Sequence, residues 1–89
     1  MELHEIRKKI DLIDDELIHL FQLRMDLSAE VAHYKKIHNA AVYDPVRELE
    51  ILNKLASKVE KGREPAIVAL YTLLFELSRA EQERLIDDR

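Results

Sequence analysis

Leu3, Ile6, Ile10, Ile13, Leu17, Leu20, Leu27, Val31 and Tyr34 recur with gaps that alternate between three and four, and Arg24 fills the one polar place in the series. That is a heptad seam about 32 residues long, the mark of sustained helix–helix packing. No Gly or Pro interrupts it, so a single helix is expected over about residues 2–37. Such a helix measures roughly 54 Å. A compact 89-residue domain has a radius of gyration near 12 Å and a diameter of roughly 30 Å. The helix therefore overshoots its own domain by about 20 Å. Its overhanging half still carries the apolar seam, and a second copy of the chain is the simplest cover.

The rest of the chain is also helical in character. It holds one Gly and two Pro, an all-α composition, and each sits where a helix should start or stop. Asn39 to Tyr43 breaks the first helix. Asp44 as N-cap and Pro45 at the first helical position open a second, expected over about 45–60, with Leu49, Leu52, Leu55, Ala56 and Val59 inward and Gly62 at its C′ position. Glu64-Pro65 opens a third, expected over about 64–86. Its stripe is Ile67, Leu70, Tyr71, Leu74, Leu77, Ser78, Gln82 and Leu85, with fraying from Asp87 to Arg89. Residues 1–89 are expected to form one three-helix domain.

Several function classes are disfavoured at once. A net charge of −4 argues against a nucleic-acid partner. No Cys is present, which removes disulfides and thiolate metal sites. The four His lack convergent metal spacing and are expected on the surface. No apolar run reaches the length of a membrane span, and no signal peptide is expected at the N-terminus, which points to a cytoplasmic protein.

Polar residues inside apolar stripes are the informative ones. Arg24 lies in the seam, either as a register-setting device or as a cation facing a cavity. Lys35 follows eleven residues later, three turns plus about 20°, and projects from nearly the same side about 16 Å away. Arg7 lies about 25 Å back along the helix, too far to share a compact ligand with Arg24 unless a partner subunit supplies it. Ser78 and Gln82 replace two apolar positions one turn apart on the third helix. Arg47 and Glu48 open the second. Each has a plain structural explanation: a rim charge, a solvated lysine, a satisfied core pair. Together they offer cations, neutral hydrogen-bonding groups and one carboxylate, a set suited to a small dianion bearing a hydroxyl.

Four segments resemble one family. IRKKIDLIDDELIHLFQLR, LSAEVAHYKK, DPVRELEIL and ELSRAEQ are similar, in order and spacing, to the all-helical chorismate mutases. The resemblance implies an intertwined homodimer and the rearrangement of chorismate to prephenate in phenylalanine and tyrosine biosynthesis, with no cofactor and no metal. Lys35 and Gln82 would meet the ether oxygen, and Glu48 with the backbone N–H of Asp44 would hold the ring hydroxyl. Arg24, Arg47 and Ser78 would bind carboxylates, and Arg7 would reach across the dimer. Tyr43 stands where the family commonly has a charged residue. Two other readings fit the same residues: an isochorismate pyruvate lyase on the same scaffold, and a non-enzymatic helical dimerisation module in which Arg24 only sets register.

Overall fold

A computed structural model describes residues 2–87. It consists of α1 (Leu3–His38), α2 (Pro45–Ala56) and α3 (Glu64–Asp87), with no strand among the described residues. α1 stops at Asn39, whose φ of 52° lies in the left-handed region that Asn tolerates. There the Ala40 N–H returns to the Lys35 carbonyl at 2.8 Å. Asp44 caps α2 as its sequence promises: Oδ1 accepts from the Arg47 N–H at 3.1 Å, and Pro45 opens the helix.

The end of α2 differs from expectation. The helix finishes at Ala56 rather than near residue 60. The Ser57 hydroxyl donates to the Lys54 carbonyl at 2.7 Å, and the Lys58 N–H reaches only to Leu55, which tightens the last turn. Gly62 is not the C′ residue of α2. Its φ of 95° belongs to the following turn, and its N–H donates to Glu64 Oε2 at 2.7 Å, so it serves the start of α3. Asp87 is the last helical residue, and the rest of the expected fraying, Asp88 and Arg89, lies outside the described residues.

Contacts fix the topology. Arg24 meets Tyr71 and Phe75, Ser28 meets Ser78, and Lys35 meets Gln82, so α3 runs parallel to the second half of α1. Glu48 meets Arg79, while Leu55 lines a hollow with Tyr71, so α2 descends antiparallel to α3. α2 packs on α3 and not on α1. The chain extends 54 × 26 × 14 Å, with a radius of gyration of 16.3 Å. Compactness would give about 12 Å, and the excess is the α1 overhang.

Every residue from position 2 to position 23 is exposed in the single chain. The seam residues Ile10, Ile13, Leu17 and Leu20 are all among them. α3 rests on a row of α1 that leaves the seam at Arg24 and continues through Ser28, Ala32 and Lys35. Only Ala32, Phe75, Ser28 and Gln82 are buried among the described residues. Half of that interior is polar, which is unusual enough to mark a site. Several stripe positions depart from expectation: Leu49, Leu70 and Leu77 are exposed, Ile51 is half-buried beside Leu52, and Phe75 is buried although the stripe omitted it.

Candidate active site

The buried polar residues form one hydrogen-bonded network at the α1–α3 contact. Ser28 sits one turn after Arg24 and two turns before Lys35 on the face that meets α3. Ser78 and Gln82, one turn apart, face it from α3. The Ser28 and Ser78 hydroxyls lie 2.5 Å apart. Gln82 Nε2 donates to Ser28 Oγ at 3.1 Å and to Ser78 Oγ at 3.2 Å. Gln82 Oε1 accepts from Lys35 Nζ at 3.1 Å. Lys35 also donates to the Val42 carbonyl at 2.6 Å, tying the end of α1 to the segment that leads into α2. An ammonium carries three donors, so this geometry leaves Lys35 one more for a ligand.

A second cluster adjoins it on α2 and α3. Arg79 Nη1 donates to Glu48 Oε2 and forms a salt bridge with it, both side chains being mostly covered. Arg79 Cζ lies 4.9 Å from the centre of the Tyr43 ring. The hydrogen bond to Glu48 raises the Arg79 pKa above the ordinary guanidinium value. Glu48 keeps its second carboxylate oxygen available to a hydroxyl donor.

Arg24 stands apart from both clusters. Its guanidinium lies 5.7 Å from the Tyr71 ring centre and 5.9 Å from that of Phe75, a cation–π arrangement. It borders a half-open hollow of about 350 Å³ whose other walls are Leu17, Leu20, Phe21, Leu70, Tyr71 and Leu74. Arg47 is exposed and pairs at 3.9 Å with Glu50. Arg7 is exposed on the overhang. The single chain therefore brings together Lys35, Ser78 and Gln82, sets Glu48 and Asp44 at the start of α2, and leaves Arg7 and Arg47 outside. The four His are exposed, and no metal-holding group of His, Cys, Asp or Glu occurs among the described residues.

Sequence reasoning missed two members, Ser28 and Arg79. Ser28 was detectable as a polar residue on the Arg24–Lys35 row. Arg79 had no such signal, because its place opposite Glu48 depends on how α2 folds back over α3.

Residues 6–83 match the protein-family model of chorismate mutase type II. A Methanocaldococcus jannaschii protein named chorismate mutase is 30% identical over 89 residues, covering 98% of this chain and 90% of that protein. The Haemophilus influenzae T-protein is 37% identical over 60 residues, 67% of this chain and 16% of that protein. A bifunctional chorismate mutase/prephenate dehydratase of Aquifex aeolicus is 39% identical over 54 residues, 61% of this chain and 15% of that protein. The chain thus corresponds to a small part of the last two. No solved structure matches with statistical significance.

Proposed function

Because this chain belongs to the chorismate mutase type II family, we propose that it catalyses the intramolecular rearrangement of chorismate to prephenate, as a step of phenylalanine and tyrosine biosynthesis in the cytoplasm. One observation carries the reading: Lys35 and Gln82, from two helices, converge at 3.1 Å beside the buried Ser28 hydroxyl and the half-buried Ser78 hydroxyl.

The reaction is unimolecular and pericyclic, and it needs positioning and charge stabilisation rather than a nucleophile. Breaking of the ether bond runs ahead of carbon–carbon bond formation, so negative charge grows on the ether oxygen. Lys35 and Gln82 meet that charge. Donors that bind the transition state more tightly than the ground state raise the rate. Even modest enzymic acceleration needs about 8 kcal/mol. One preorganised donor supplies about 3–4 kcal/mol. Two donors fall slightly short, and arginines that hold the substrate in its reactive shape supply the remainder. Arg24 would bind one carboxylate, with Arg47 and Ser78 assisting. Glu48 and the Asp44 N–H would take the ring hydroxyl, a role that favours the mutase over an isochorismate lyase.

The site would be completed by a second copy of the chain. The uncovered seam of α1 supports this, as does the position of Arg7 about 25 Å from Arg24 along one helix. Arg7 of the partner subunit would then supply the missing cation. No described helix is long and apolar enough to cross a membrane.

The test is loss of chorismate absorbance with purified protein, compared with Lys35→Ala. We expect kcat to fall by about 10²–10³-fold in the variant, the usual effect of removing one such donor. A wild-type chain that leaves chorismate unchanged, or a variant as fast as wild type, overturns the reading.

A further inference from the structure

We infer that Ser28 is a positioning residue, and that the Ser28–Ser78 hydroxyl pair lets the Gln82 side-chain amide turn over between two bonded states, one for an empty site and one for an occupied site. The inference rests on the reading of Lys35 and Gln82 as donors to one substrate oxygen.

The orientation of Gln82 motivates it. Nε2 is turned toward the two serine hydroxyls, and Oε1 faces Lys35. An amide held this way presents its carbonyl beside Lys35, and a substrate oxygen placed there would be repelled by it. Gln82 brings its NH₂ beside Lys35 only when its amide reverses.

Reversal is cheap in this network. The last torsion of Gln is broad and roughly two-fold, so both orientations are accessible. A hydroxyl accepts or donates by rotating its proton. After reversal, one serine hydroxyl donates to Oε1 while the other donates to its serine partner, so the Ser28–Ser78 bond is kept and Oε1 retains an inward donor. Backbone carbonyls in their place could not make that exchange.

Lys35 couples the turnover to occupancy. With the site empty, reversal would point the Gln82 NH₂ at an ammonium, donor against donor, and Lys35 would lose an acceptor. An entering oxygen supplies that acceptor and accepts from Nε2 as well. Lys35 therefore holds the amide in one state, and the substrate releases it into the other.

Ser28 has no competing duty. It is 5% exposed, and its hydroxyl partners are Ser78 and Gln82 alone. One turn further on, the same face is packed by the methyl of Ala32. Serine is a poorer helix former than alanine, so packing and helicity alone would favour alanine at position 28.

Ser28→Ala tests the idea, since it deletes one atom, favours the helix and should fold. We expect kcat to drop about three- to ten-fold, the span of one neutral hydrogen bond, with KM nearly unchanged. The direct readout is NMR of the Gln82 side-chain amide. Its protons should show NOEs to the Ser28 and Ser78 β-protons in the free protein. On addition of an unreactive bicyclic ether dicarboxylate, those NOEs should give way to NOEs to the added ring. If wild type turns over chorismate but Ser28→Ala matches its kcat, or if the serine NOEs persist unchanged with the dicarboxylate bound, the inference falls while the reading of the site stands. If wild type shows no turnover, the reading itself falls.

Discussion

Arg79 is held between a carboxylate and a ring, with Glu48 on its Nη1 and Tyr43 stacked against it. Replacing it by leucine leaves the Glu48 carboxylate partly covered and unpaired. That should cost about 1 kcal/mol, allowing for the remaining exposure of the pair. Because the proposed hydroxyl contact needs Glu48 aimed, Arg79→Leu should also raise KM several-fold while lowering kcat less, as steady-state kinetics would show. The pair does not make the enzyme pH-sensitive near neutrality. The Arg79 pKa is raised by its hydrogen bond to Glu48. Its contribution to stability is complete below the ordinary guanidinium value and fades only as pH climbs through the higher folded one. Gln82 donates without titrating, so kcat should stay nearly flat over roughly pH 6 to 8. A steep loss in that window, following a single group, would contradict this. At this scale the sequence was half legible. Ser78 and Gln82 stood out as polar residues in an apolar stripe and Lys35 by its spacing from Arg24, and the fold joins them. Arg79 looked like any surface arginine, because a side chain's charge partner on another helix leaves no mark on local periodicity.

Among the elements, α2 shows most clearly what a sequence encodes. Its start rests on local chemistry: the Asp44 side chain caps the Arg47 N–H, and Pro45 presets the first turn. Asp44→Ala should therefore lower stability by about 1 kcal/mol, within the usual range for a lost cap. It keeps the backbone N–H proposed for the ring hydroxyl, so turnover should stay within a few-fold of wild type. Denaturant unfolding at fixed chain concentration, run alongside the kinetic assay, separates the two effects. A collapse of activity without loss of stability would place the function on the carboxylate instead. The end of α2 was not legible. Gly62 signals a left-handed residue equally well at the close of one helix or in the turn before the next, and only its bond to Glu64 decides between them.

For the whole molecule, α1 is the dominant fact. Its length and its seam were readable from a period of three and four, and the overall extent of 54 Å agrees with the helix length that period implied. Which face α3 would occupy was not readable. The seam promised helix packing along its length, yet α3 took the row of Arg24, Ser28, Ala32 and Lys35, which shares only Arg24 with the seam, and left the seam's apolar residues exposed. If a second copy covers it and lends Arg7, then Arg7→Ala and Lys35→Ala chains, each inactive alone, should recover activity when mixed and allowed to exchange. One restored site per mixed pair gives about a quarter of wild-type turnover at statistical exchange. No recovery after exchange is confirmed by mass spectrometry would rule out the shared site.

The thin interior of the single chain has one more consequence. With Ala32 and Phe75 the only buried apolar residues among those described, a lone copy has little hydrophobic gain to set against its conformational entropy. If a second copy covers the seam as proposed, folding and pairing become one bimolecular event, and integrity obeys mass action. For such a catalyst, dilution itself acts as a denaturant.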